Sequence, residues 1–155
     1  MRLVFFILLM SSLPIWACSP PPGDYSVVGN VERANLIALV HVTKAEEVES
    51  YGQDNPVNFG IKISYRLLEI IKGKSKNVDI VYTDYSMCSA HLLPGYDYIL
   101  FAIGATGSKP NFALGSLGGT KSYMPNRKEN SEYLDLVRKE VKRNKSPITL
   151  KNRQK

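Results

Sequence analysis

Leu36-Ile37-Ala38-Leu39-Val40-His41-Val42-Thr43-Lys44-Ala45-Glu46-Glu47-Val48 is the stretch on which the fold turns. Leu36, Ala38, Val40 and Val42 alternate with Ile37, Leu39, His41 and Thr43, so both faces begin apolar. Polar residues enter from Lys44, and Glu46, Glu47 and Glu49 make an acidic end. Successive side chains of an extended chain point to opposite faces. The pattern therefore predicts one long strand, buried on both sides at its start and solvated at its end. His41 has no second ligand nearby in sequence. It is read as a packed or surface residue, not as a metal ligand.

Outward from this strand, residues 50–58 carry Gly52, Asp54, Asn55 and Pro56, which is turn chemistry. A second long strand is predicted over residues 59–71. There Ile61, Ile63, Tyr65 and Leu67 alternate with Lys62, Ser64 and Arg66. The pairs Leu67-Leu68 and Ile70-Ile71 break the alternation, as a bulge or a coil in the strand would. After the tight connection Lys72-Gly73-Lys74-Ser75, a third strand is read over 78–82, with Val78, Ile80 and Tyr82 on one face. A fourth follows the turn Leu93-Pro94-Gly95, over 98–103. A fifth spans 111–117, broken by Gly115 and ending at Gly118-Gly119.

Helices flank the strands. One is predicted over 25–34, capped by Asp24, with Val27, Val28, Val31 and Ala34 on one face and Gly29 as its weak point. The other is predicted over 132–143, capped by Ser131, with Tyr133, Leu134, Val137 and Val141 inward. Five strands between two helices predict an all-β fold, a five-stranded antiparallel barrel of the OB type. The pattern alone also allows a sandwich.

The chain opens with Met1-Arg2, an apolar run over 3–10 and a less apolar flank over 11–17. That is the layout of a secretory signal, and the run is shorter than the ~20 residues of a membrane span. Residues 1–17 are therefore set aside, and the folded domain is expected over 18–145. Ile15 and Ala17 suit an ordinary signal peptidase cutting before Cys18. A lipoprotein peptidase could use the same cut, although Trp16 is bulky for it. The protein is expected to be exported, periplasmic or secreted; a lipidated Cys18 would instead anchor it to a membrane.

The whole chain carries 20 Lys+Arg and 14 Asp+Glu, a net charge of +6; removing Arg2 lowers it to +5. From Arg138 onward there are Arg138, Lys139, Lys142, Arg143, Lys145, Lys151, Arg153 and Lys155 against Glu140 alone. Residues 146–155 are read as a basic, unstructured tail. Exported proteins rarely meet nucleic acid, so no nucleic-acid partner is expected.

The two cysteines, Cys18 and Cys88, suggest one disulfide in an exported chain. Closing that loop would stabilise the fold by roughly 4 kcal/mol in the chain-entropy treatment. If Cys18 is lipidated instead, the bridge cannot form and Cys88 is a lone thiol. Cys88 and His91 also make a Cys-x-x-His. No orienting acid or oxyanion motif accompanies them, so no enzyme is expected. Two cysteines and two histidines lack metal-ligand spacing, so neither a metal of its own nor a cofactor is expected. No phosphate loop, repeat or triad motif is present.

Several segments, in this order, resemble the N-terminal domain of the tissue inhibitors of metalloproteinases (TIMP), within the netrin-like (NTR) modules. They are the Cys18-Ser19-Pro20 start, Ala34-Asn35-Leu36-Ile37-Ala38, and Tyr65-Arg66-Leu67-Leu68-Glu69-Ile70-Ile71-Lys72-Gly73. Val81-Tyr82-Thr83, Met87-Cys88-Ser89 and Gly95-Tyr96-Asp97-Tyr98-Ile99-Leu100-Phe101-Ala102 follow. The family barrel is of the OB type. Its inhibitory domain has three disulfides, and only the bridge from the mature N-terminus to the mid-chain loop has counterparts here, as Cys18–Cys88. Pro20 and Gly115-Ser116 stand where another pair would be. The reduced cysteine set and missing C-terminal domain look like those of a bacterial member.

The resemblance implies a mechanism. The α-amine and carbonyl of Cys18 would chelate the zinc of a target metalloprotease, and Ser19 would enter its specificity pocket. Pro20, Ser86, Met87, Cys88 and Ser89 would complete the protein-binding ridge. The implied partner is a zinc metalloprotease or another extracytoplasmic protein. The alternative is a lipid-anchored cell-envelope binding module without inhibitory activity.

Overall fold

The computed structural model describes residues 23–48, 60–74, 80–83, 89–103, 112–115 and 118–145. They form α1 (Val27–Arg33), β1 (Leu36–Val48), β2 (Gly60–Lys72), β3 (Ile80–Thr83), β4 (Asp97–Ile103), β5 (Phe112–Ala113), β6 (Lys121–Tyr123) and α2 (Lys128–Lys145). The expected leader 1–17 and tail 146–155 lie outside the described residues.

The strands close a ring. β1 pairs with β2 along its length and with β4 from Leu36 to His41. β2 pairs with β3, β3 with β5, and β5 with β4. The result is a five-stranded barrel, with β6 added alongside β4. The expectation of an entirely antiparallel barrel is corrected: β3 and β5 run parallel, Tyr82 opposite Phe112. The reason is parity. Directions cannot alternate all the way round a closed ring with an odd number of strands, so at least one pair must be parallel.

Two apolar layers explain the β1 pattern. Leu36, Ala38, Val40 and Val42 point into the barrel with Ile63, Tyr65, Val81, Tyr98, Leu100 and Ala102. Ile37, Ile99 and Phe101 point the other way, under Val31 and Ala34 and the α2 residues Leu134, Val137 and Val141. The first half of β1 and the centre of β4 are thus covered on both faces, which near-continuous apolar runs require. Beyond Val42 the helices no longer cover β1, and Thr43, Lys44 and Ala45 are exposed.

The break expected at Leu67-Leu68 is a bulge. Val40 faces Leu67 while Leu39 faces Glu69, leaving Leu68 as the extra residue. In β3 the buried residues are Val81 and Thr83, while Ile80 and Tyr82 are only half-buried.

α1 starts one cap later than expected. Ser26 is the N-cap and accepts from Gly29 N at 3.2 Å, while Asp24 accepts from Ser26 N at 2.8 Å. Gly29 is required by close approach, since a Cβ there would lie 2.5 Å from the Asp24 carbonyl oxygen. Lys72 Nζ donates to Val31 O at 2.6 Å, placing a cation on the last carbonyls of α1. Partial burial pulls the Lys72 ammonium below the usual lysine range. α2 begins at Lys128, so Ser131 lies inside the helix and is not its cap. Arg138 holds α2 on β2 by reaching both Glu69 oxygens, at 3.1 and 2.6 Å.

One side chain stands in for a missing stretch of ladder. β5 and β6 share one edge of β4, β5 at Ala102–Ile103 and β6 at Asp97–Ile99. Between them Leu114 N donates to Phe101 O at 2.8 Å, and the Thr120 side chain meets the same residue. Its hydroxyl accepts from Phe101 N at 3.1 Å and donates to Phe101 O at 3.3 Å. Thr120→Val keeps the shape and strands a buried N–H. It is expected to cost about 1–3 kcal/mol in urea unfolding, whereas Thr120→Ser should recover most of the loss.

Candidate functional site

Of the seven residues expected in the binding ridge, Cys18, Ser19, Pro20, Ser86, Met87 and Cys88 lie outside the described residues, and so does the Cys18–Cys88 bridge. Ser89 is described, half-buried at the rim of a groove. The barrel fixes the frame on both sides of residues 84–88. Thr83, buried at the end of β3, donates its hydroxyl to Ala90 O at 3.2 Å. Ala90 and Leu92 enter the barrel core, and Leu93 N donates to the Tyr98 hydroxyl at 2.9 Å.

The turn expected at Leu93-Pro94-Gly95 is stapled to β1. Gly95 N donates to Val42 O at 2.9 Å, and Val42 N to Tyr96 O at 3.0 Å. Gly95 has φ +86°, which a glycine adopts without strain. The stretch that follows Cys88 is therefore a rigid shelf attached to the barrel.

A groove of about 620 Å³ opens beside this shelf. Its walls are residues 89–93 with Tyr96 on one side and Thr120, Lys121, Ser122 and Met124 on the other, with Tyr98 between them. Lys121 Nζ lies 4.2 Å from the centre of the Tyr133 ring. Burial pushes the Tyr133 phenol up to about 12, and its hydroxyl donates to Gly119 O at 2.9 Å. A neighbouring hollow of about 530 Å³ shares Tyr96 and Met124 and adds His41, Asp97 and Arg127.

His41, expected to be alone, has a partner from β4. Its Nδ1 is 2.6 Å from Asp97 Oδ1, and both side chains are about one-third exposed. Sequence distance hid the pair, which exists because β1 and β4 place His41 and Asp97 opposite each other. His91 lines the first groove and is exposed. Among the described residues, no three His, Cys, Asp or Glu side chains gather as a metal site.

The residues the sequence did not reveal are Leu93, Tyr96, Lys121, Ser122 and Met124. Their only sequence signal is that large apolar residues stand next to turn residues, at Leu93-Pro94 and Met124-Pro125.

The chain matches no protein-family model and no curated protein. A functional reading therefore rests on its own residues and fold.

Proposed function

We propose that this is an exported protein-binding domain of the OB type, built like a TIMP or NTR module, that inhibits a zinc metalloprotease through its mature N-terminus. The observation carrying the reading is a meeting of three sequence-distant landmarks at Asn35. Gly73, which ends the second landmark strand, has φ +91°, and a Cβ on it would lie 2.4 Å from Asn35 O. Ala102, from the fourth-strand landmark, accepts from Asn35 N at 2.9 Å. Segments that carry the resemblance are thus mutual neighbours, with a glycine where the contact requires one. The ring order, with β4 returning beside β1 and β5 between β3 and β4, also supports a Greek-key barrel of the OB type.

In this reading the Cys18 amine and carbonyl ligate the target's zinc, and Ser19 fills the adjacent pocket. Ser86, Met87, Cys88 and Ser89 widen the ridge, and Pro20 stiffens its exit. A Cys18–Cys88 bridge joins the N-terminus to a loop whose feet, Thr83 and Ala90, are tied by a hydrogen bond. A wedge held this way loses little conformational entropy on docking.

The test is the natively processed protein, its N-terminus and bridge verified by intact mass with and without reductant. It is assayed against a panel of zinc metalloproteases, and stoichiometric inhibition of at least one is expected. A correctly cut, bridged protein that inhibits none overturns the reading. An added diacylglycerol mass at Cys18 overturns it as well, in favour of a lipid-anchored binding module.

A further inference from the structure

We propose that the groove between residues 89–93 and β6 binds an extended, acid-flanked peptide segment of a protein partner, which adds as a strand along the outer edge of β6. This inference does not depend on Cys18 and holds whether or not the N-terminus chelates a metal.

The backbone directions identify the edge. Tyr96 O accepts from Val42 N of β1 and Ala102 O from Asn35 N just before it, whereas Phe101 O accepts from Leu114 N on the opposite side. Hydrogen-bonding direction alternates along a strand, so the odd residues of β4 face β5 and β6. Asp97 with Tyr123 and Ile99 with Lys121 are then the hydrogen-bonded pairs, and Ser122, opposite Tyr98, is not. The N–H and C=O of Ser122 consequently point away from β4. Ser122 lines the groove, and among the described residues no strand pairs with that edge of β6. An outward N–H and C=O on an edge strand is a template for another backbone.

The side chains define the chemistry of the guest. Leu93 is 57% exposed, Tyr96 52% and Met124 38%, and all three line the groove. Converging apolar side chains left in water mark a contact surface more than scattered ones do. No carboxylate lines the groove, while Lys121 and His91 do. The neighbouring hollow adds Arg127, and its carboxylate, Asp97, is held by His41. A strand with apolar residues toward Leu93, Tyr96 and Met124 and carboxylates toward Lys121 matches this lining. A peptide strand offers an N–H and a C=O side by side to the Ser122 C=O and N–H, a pairing that a lipid headgroup does not repeat along the edge.

The probe is a capped, fluorescein-labelled octapeptide of alternating glutamate and valine, titrated into the full mature chain and read by anisotropy and amide shifts. Saturable binding is expected, with shifts concentrated at Ser122 and Leu93. The half-exposed Leu93→Glu should leave the far-UV spectrum unchanged and weaken binding by roughly tenfold. Backbone N–H groups of alternate residues point to opposite edges of a strand. N-methylating all valines or all glutamates should therefore abolish binding in one case and spare it in the other. Equal effects of the two methylations overturn the proposal, as does binding insensitive to Leu93→Glu. Displacement of the peptide by phosphatidylglycerol vesicles, with the same Leu93→Glu sensitivity, assigns the groove to a membrane surface and also overturns it.

Discussion

Replacing Phe101 by alanine is expected to lower the unfolding free energy by about 3–5 kcal/mol, with a large cavity left between sheet and helices. Phe101 has no solvent exposure and lies where β4 meets both helices. Its ring touches the one layer that joins α1, α2 and the barrel, so the site cannot collapse without moving a helix. Small domains have about 5–15 kcal/mol of stability in total, so the loss is about a fifth of it or more. Urea unfolding followed by circular dichroism measures it directly. A loss under about 1 kcal/mol would contradict the packing described here.

Gly119 separates two contributions to that effect. It has φ +101°, and a Cβ there would lie 3.0–3.1 Å from three atoms of the Phe101 ring. Gly119→Ala therefore carries a backbone penalty and a ring contact. In the Phe101→Ala background the ring contact disappears and the backbone penalty remains. The two losses should add to more than the double variant shows, with a coupling of about 0.5–3 kcal/mol.

The parts of the fold that were legible in the sequence are those where burial is extreme. β1 was readable from Leu36 to Val48 because helices and barrel cover its first half and neither covers its second. The bulge at Leu68 was readable because an extra residue in a half-buried strand disturbs a period of two. β6 was not readable. Lys121-Ser122-Tyr123 is too short to establish alternation and becomes a strand only because β4 offers a free edge at Asp97–Ile99. The fifth strand is shorter than its sequence pattern suggests: Ala113 ends it, Leu114 keeps one backbone bond to Phe101 O, and the Thr120 hydroxyl takes the Phe101 N–H. The start of α2 was misjudged because Ser131 resembles a cap, while Arg127 O already accepts from Asn130 N and Ser131 N. Of the ridge, only the shelf after Cys88 can be related to the barrel. The groove beside it was invisible in sequence because its walls come from segments about thirty residues apart, brought together by the pairing of β4 with β6.

A chain carrying one extra residue before Cys18 should lose at least ~100-fold in inhibitory affinity, about 3 kcal/mol, with no change in melting temperature. The extension turns the α-amine into an amide, which is not a zinc ligand, and inserts a residue between the ridge and the metal. Stability should be untouched, because α1 is capped by Ser26 and Asp24 and, among the described residues, the first to pack on the core is Val27. A pH series separates chelation from simple steric exclusion. An α-amine ordinarily titrates near about 8, and only its neutral form can ligate zinc. Inhibition by the correctly cut protein should therefore strengthen as pH rises from 6 to about 8 and level off above, while the residual binding of the extended chain stays flat. Equal inhibition by both chains, or the same pH dependence in both, would remove the N-terminus from the mechanism. Binding by this domain would then rest on the surface between Ser89 and Met124.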